Sequence, residues 1–239
     1  MGKHSERGHA DGVGRAATSP GATDVHEVVV REVVVREVVV NYGDVTALKG
    51  VSLTASAGEF VAITGHSGAG KTTLINAIGG IVPFAGGSVA LGQNGHGPDP
   101  SAVAIIPQGN GLASILTAYE NVLAPLRARR VPADAAASRA QDALASVGLG
   151  ESGSHLVEEL SGGQQQRAAV ARGLALDATV LLADEPTSEL DHDNRERVLG
   201  LLRAKADGGA IVIMTTHDPE AAERADRVIE LDDGEVVHT

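Results

Sequence analysis

Gly65-His66-Ser67-Gly68-Ala69-Gly70-Lys71-Thr72 decides how this chain is read. It fits G-x-x-x-x-G-K-[ST], the pattern of a loop that wraps phosphate. The apolar run Phe60-Val61-Ala62-Ile63-Thr64 precedes it and reads as a buried strand. After it, Thr73 continues into Leu74, Ile75 and Ile78, which share one face at helical spacing. Strand, glycine loop and helix is the context that the pattern needs. Glycines let the backbone curl so that successive N–H groups point inward at phosphate oxygens. The N-terminal end of the helix adds positive partial charge. Lys71 is placed to reach the β- and γ-phosphates, and the Thr72 hydroxyl to ligate Mg2+.

Composition narrows the classes around that loop. At 239 residues the chain is one large domain, or one domain with a subdomain. Only 2% of it is aromatic, so Val, Leu, Ile and Ala must fill the core, and each Tyr or Phe is a candidate for a specific task. A net charge of -12 leaves no basic footprint for nucleic acid and no polybasic grip on anionic lipid. With no cysteine there is no disulfide, thiolate metal site or thiol nucleophile. No apolar run is long enough to insert in a bilayer, and the N-terminus lacks the apolar core of a secretory signal. A membrane role is therefore expected to come through a partner.

Outward from the loop, residues 1–25 read as a disordered tail without hydrophobic period. Residues 26–40 are three copies of a five-residue unit: His26-Glu27-Val28-Val29-Val30, Arg31-Glu32-Val33-Val34-Val35 and Arg36-Glu37-Val38-Val39-Val40. An odd period flips the side chains of each copy relative to the last, so only one copy fits a given register. The expectation is that the last copy is the first core strand. Residues 26–37 then form a Val-rich repeat, and the folded domain runs from 38 to 239. Residues 45–59 read as a second strand, and 88–91 and 102–106 as short strands. Thr117-Ala118-Tyr119-Glu120 is a capping box that opens a helix running to about 130, and 133–147 is an alanine-rich helix. Residues of about 110–160 thus make a helical insert.

Downstream, the strand Val180-Leu181-Leu182-Ala183 ends in Asp184-Glu185, and Ile211-Val212-Ile213-Met214 ends at Thr215-Thr216-His217. Strands alternating with helices imply an α/β fold with a mostly parallel sheet. Ligands then sit at the carboxyl ends of the strands, where Gly65, Asp184 and His217 all fall. An acid closing such a strand commonly holds Mg2+, directly or through water. The adjacent Glu185 is placed to orient or deprotonate an attacking water. A second cradle, Leu160-Ser161-Gly162-Gly163-Gln164, opens another helix far downstream of Lys71. A nucleotide clamped between two copies of the chain would account for both cradles.

The 160–164 run matches the signature motif of the ATP-binding-cassette (ABC) transporter ATPases, and residues of about 38–237 resemble that family. The resemblance implies a P-loop NTPase core with an N-terminal antiparallel β subdomain and an inserted α-helical subdomain. It also implies ATP and Mg2+ as cofactors. Tyr42, before Ala47-Leu48-Lys49-Gly50-Val51, matches the aromatic that stacks on adenine. Gln108 matches the glutamine that senses Mg2+ and the membrane partner. Ser161 and Gly163 would contact the γ-phosphate held by the other subunit, with Gly162 and Gln164 in the same nucleotide-binding run. Asp191 matches the loop that couples the two sites, and His217 the switch histidine that positions Glu185. Glu189 stands where the family most often has alanine, and Pro107 where an aromatic is more usual.

The function so implied is an ATP-hydrolysing subunit, peripheral on the cytoplasmic face of the cell membrane. It would drive a separate transmembrane permease, paired with a second copy of itself or a paralogous ATPase subunit. Thr117-Ala118-Tyr119-Glu120-Asn121-Val122 and Gln164-Gln165-Gln166-Arg167 resemble the lipoprotein-release and macrolide-export subfamily. The alternative is a soluble ABC ATPase without a transport role, in cofactor assembly or DNA maintenance.

Overall fold

A computed structural model describes residues 31–92 and 101–238 of the protein. Two sheets with one helix between them organise the core. The first is antiparallel, in the order β2-β1-β4, formed by β1 (Glu32–Tyr42), β2 (Val45–Ser56) and β4 (Gly86–Leu91). The second has the order β5-β6-β7-β3-β8-β9. Its strands are β3 (Phe60–Thr64), β5 (Val103–Ile106), β6 (Val180–Asp184), β7 (Ile211–Thr215), β8 (Arg227–Asp232) and β9 (Glu235–His238). All its pairings are parallel except the closing β8–β9 hairpin.

Strand periodicity separates the two faces of this larger sheet. Val61 and Ile63 point to one side, where α1 (Lys71–Ile78) and the antiparallel sheet cover them. Phe60 and Ala62 point to the other side. That face is packed with α2 (Ala118–Ala128), α3 (Ala133–Ser146), α4 (Gly162–Ala175), α5 (His192–Asp207) and the short α6 (Pro219–Ala222). The α2 capping box forms as its sequence predicts: Thr117 Oγ1 accepts from Glu120 N at 3.1 Å, and Glu120 accepts from Thr117 N at 2.9 Å. The helical insert therefore consists of α2 and α3 packed on α4, with Arg129 Nη2 bonding Val103 O at 2.5 Å to fasten it to the sheet.

The expectation that one copy of the repeat fits the register is corrected here. β1 takes in both Glu32-Val33-Val34-Val35 and Arg36-Glu37-Val38-Val39-Val40, starting at Glu32 rather than Val38. Val35 pairs with Leu53 and Val38 with Val51, so Arg36 and Glu37 together oppose Ser52. This β-bulge inserts one residue and restores the alternation that a period of five would break. Val33, Val35, Val38 and Val40 all end up buried. Glu37 takes up the irregularity with φ 48°, held by Glu37 N to Ser52 Oγ at 2.8 Å and Ser52 Oγ to Glu37 Oε1 at 3.1 Å. The tail over 1–25 and the first copy, 26–30, lie outside the described residues.

Candidate functional site

The phosphate-loop residues occupy the turn from β3 into α1, with Gly70 as the left-handed N-cap at φ 103°. Their curl is forced from behind. A Cβ on Gly65 would stand 2.1 Å from Leu231 O, so the loop is pressed against the end of β8. Gly234 N bonds Ala69 O at 3.0 Å, and His66 Nε2 lies 2.9 Å from Asp232 Oδ1. The turn of the closing hairpin thus braces the loop together with β2, which lies against both that turn and Gly70 at Ala47. Sequence reading assigned no such role to Asp232 or Gly234, because it is created by β8 pairing with β3.

In front of the loop is a cavity of about 530 Å³. Tyr42, Ala47, Ser67, Gly68, Gly70, Lys71, Thr72, Thr73, Gln108, Glu185, Ser188 and His217 line it. All but Ala47 and Ser188 are site residues in the sequence reading, ten in number; Gly70 and Lys71 come from the loop itself, while Tyr42, Gln108, Glu185 and His217 come from four other stretches. Tyr42 is 51% exposed at the end of β1, an open aromatic face at the cavity edge. Gly65, His66 and Ala69 support the loop from outside the cavity lining.

Lys71 is buried, and its Nζ donates to Gly65 O at 2.8 Å and His66 O at 3.1 Å. It also lies 3.9 Å from Glu185 Oε1. The other carboxylate oxygen, Glu185 Oε2, is 2.9 Å from His217 Nδ1. One carboxylate therefore bridges an ammonium and an imidazole, the arrangement of an oriented general base. Glu185 has φ 49°, a conformation that costs on the order of 1–2 kcal/mol in an L residue. Its N–H is held by both Thr215 Oγ1 at 3.0 Å and Thr215 O at 3.2 Å. The same Thr215 hydroxyl donates to Asp184 Oδ1 at 2.5 Å.

Mg2+ prefers hard oxygen donors. Thr72 Oγ1 and Gln108 Oε1 converge at 3.4 Å on the cavity wall, and a hydroxyl, an amide oxygen and the Asp184 carboxylate suit that ion. Asp184 is buried and does not line the cavity, so its contribution would be through water. Among the described residues no cluster of three or more His, Cys, Asp or Glu is built to hold a metal by itself. The site offers at most part of a coordination shell, the rest falling to phosphate and water.

The second cradle stands apart. Ser161, Gly162, Gly163 and Gln164 start α4 with a complete capping box, Ser161 N to Gln164 Oε1 at 2.9 Å and Gln164 N to Ser161 Oγ at 3.3 Å. They do not line the cavity that holds Lys71, and Ser161 and Gly162 are exposed. Asp191 also lies outside it, as the N-cap of α5. Hydrogen bonds from the backbone and side chain of Asn194 hold its carboxyl below the ordinary carboxylate range.

Sequence reading quoted Gln166 but gave it no role. It is buried, donating from Nε2 to Glu185 O at 2.8 Å and accepting Glu189 N at 2.8 Å on Oε1. It thereby ties α4 to the segment that carries Glu185. The available signal was a polar residue on the buried stripe of α4, in step with Val170 and Gly173.

A profile of the family described as ABC transporter matches residues 48–188. An uncharacterised ABC transporter ATP-binding protein of Mycobacterium bovis is 44% identical over 196 residues, covering 78% of this chain and 59% of that protein. The macrolide export ATP-binding/permease protein MacB of Hyphomonas neptunium is 44% identical over 204 residues, 81% of this chain and 32% of its own length. The chain thus spans about three fifths or less of the length of these curated relatives. Among solved structures, the dimeric post-hydrolysis state of the ATP-binding cassette MJ0796 bound to ADP and Pi superposes with a TM-score of 0.80. It is 33% identical and aligns over 86% of this chain and 97% of that one.

Proposed function

The chain belongs to the ABC transporter family, and on that footing we propose that it is an ATP-hydrolysing subunit that works as a pair. Two copies, or this chain and a paralogue, close head to tail on two ATP molecules. Each nucleotide lies between residues 65–73 of one protomer and Ser161-Gly162-Gly163-Gln164 of the other. The observation that carries this reading is the separation of the two cradles. The Lys71 cavity is lined by Glu185 but not by the start of α4, whose Ser161 and Gly162 are exposed elsewhere on the same chain.

The chemistry follows from the groups in the cavity. Tyr42 stacks on the adenine. Lys71 and the loop N–H groups neutralise phosphate charge. Glu185 accepts a proton from the attacking water, and His217 keeps the carboxylate oriented and contacts the γ-phosphate. Mg2+, when bound by Thr72, Gln108 and Asp184, supplies charge stabilisation on the phosphates. The γ-phosphate makes contacts that exist only in the closed pair, so cleavage removes the free energy that keeps it closed.

The partner that uses this motion is a transmembrane permease. The MacB name, ATP-binding/permease, supports that inference. Among the described residues no helix is long and apolar enough to cross a membrane, which leaves the crossing to another segment or chain. Its place is on the inner face of the cell membrane, held by the permease. The test is turnover together with partner capture. Tagged Glu185→Gln, loaded with ATP and Mg2+ in detergent-solubilised membranes, is expected to co-purify with a multi-spanning membrane protein. Capture of soluble partners alone, with the chain absent from membranes, would support a non-transport ATPase instead.

A further inference from the structure

Gln108 is exposed, and its hydrogen bond to Thr72 is long, at 3.4 Å. What holds it there must act on its flanks. After it, Gly109, Asn110 and Gly111 have φ of 74°, 65° and 55°, three successive left-handed residues closed by Gly111 N to Gly109 O at 2.7 Å. An L residue such as Asn110 tolerates that conformation but does not impose it.

The external brace is Arg172, near the end of α4. Its Nη1 donates to Gly111 O at 2.5 Å and its Nη2 to Asn110 O at 2.8 Å. Burial lowers the pKa of this guanidinium, and no carboxylate pairs with it among the described residues. Its planar fork is thus committed to two consecutive carbonyls, a geometry that lysine cannot reproduce. The neighbouring Gly173 holds the other flank. A Cβ there would stand 2.6 Å from Ile106 Cγ1, so the α4 backbone lies against the end of β5 just before Gln108. One helix therefore grips the chain on both sides of Gln108. Eleven residues earlier, about 16 Å along its axis, the same helix begins at Ser161.

We propose that Arg172 is a positioning residue that holds the Gln108 carboxamide opposite Thr72 and joins this half of the site to the α4 start as one rigid body. Seating of the α4 N-terminus on a partner's nucleotide and placement of Gln108 in its own site then become one event. This rests on the reading above, in which Gln108 serves the Mg2+-nucleotide.

The test measures ATP affinity by calorimetry with Mg2+ and with EDTA, in the Glu185→Gln background where hydrolysis does not interfere. Arg172→Ala is expected to keep the EDTA affinity within about twofold. It should lose several-fold of the gain that Mg2+ brings, approaching the loss caused by Gln108→Ala. The double variant should lose no more than Gln108→Ala alone, because the two residues act in series. Arg172→Lys, with one bond of two, should fall between. Hydrogen exchange over residues 107–112 should quicken in Arg172→Ala and leave the α1 amides unchanged.

A full Mg2+ gain in Arg172→Ala would overturn the proposal, and so would losses that add in the double variant. An EDTA affinity that falls in step with a lower melting temperature would assign Arg172 a merely structural role. If the parent itself shows no Mg2+ gain, the metal assignment of the proposed function fails first, and this inference with it.

Discussion

Lys71 and Glu185 face each other with side chains about nine-tenths buried, and each is also tied to other groups: Lys71 to two loop carbonyls, Glu185 to His217. Removing one charge is therefore expected to act on function in opposite ways. Lys71→Ala loses charge-assisted bonds to phosphate of about 1.5–3 kcal/mol, so ATP affinity should fall about 10- to 100-fold in a titration. Glu185→Gln keeps shape and loses the base. Its turnover should drop by roughly 10²–10⁴ while ATP binding persists; normal turnover would sink the base assignment. Thr215→Val tests the support behind both acids. It strips a bond from Asp184 and from the Glu185 amide, costing about 1–3 kcal/mol in urea unfolding. Wild-type stability in Thr215→Val would remove Thr215 from this role. Lys71, Asp184, Glu185 and His217 were legible because each belongs to a local sequence pattern. Thr215 was not, since its task depends on its standing opposite Asp184 in the β6–β7 register.

At the scale of elements, alternation and capping signals located most strands and helices to within a few residues. β1 was the exception. Periodicity alone counts residues, whereas a bulge changes the count, and nothing in Arg36-Glu37 announces a left-handed glutamate. Deleting Arg36 and Glu37 together makes Val35 adjacent to Val38. That should turn Val33 and Val35 outward and cost roughly 3–6 kcal/mol, at about 1.5–3 kcal/mol per valine. Deleting Glu37 alone leaves Arg36 opposite Ser52 and the alternation intact. Denaturant unfolding that shows no loss would mean that the strand re-registers freely.

A second element-scale prediction concerns Asp226, which joins α5 to the start of β3. Hydrogen bonds from Arg203 and then from the Phe60 amide hold its carboxyl below the ordinary 3.8. The folded state thus binds this proton less readily than the unfolded one. The stabilisation is complete above about pH 4 and lost as pH falls through the lower folded-state value. Asp226→Asn should be less stable at neutral pH and decline less steeply on acidification. Parallel pH–stability curves for the two proteins would contradict this.

For the whole molecule, the decisive fact is that one chain carries a cavity lined by Lys71 and Glu185 in front of its glycine loop and, outside it, a helix start whose Ser161 and Gly162 are exposed. The sequence made both cradles legible but not their separation, which follows from α4 packing on the face of the larger sheet remote from α1. The proposed composite site is tested by mixing two disabled chains. Lys71→Ala removes the first cradle, and Gly163→Asp places a like charge in the second. A pair made of one of each retains one site in which both cradles are intact. The 1:1 mixture is predicted to hydrolyse ATP where neither variant does alone; a mixture as inactive as its components would contradict a site shared between two copies.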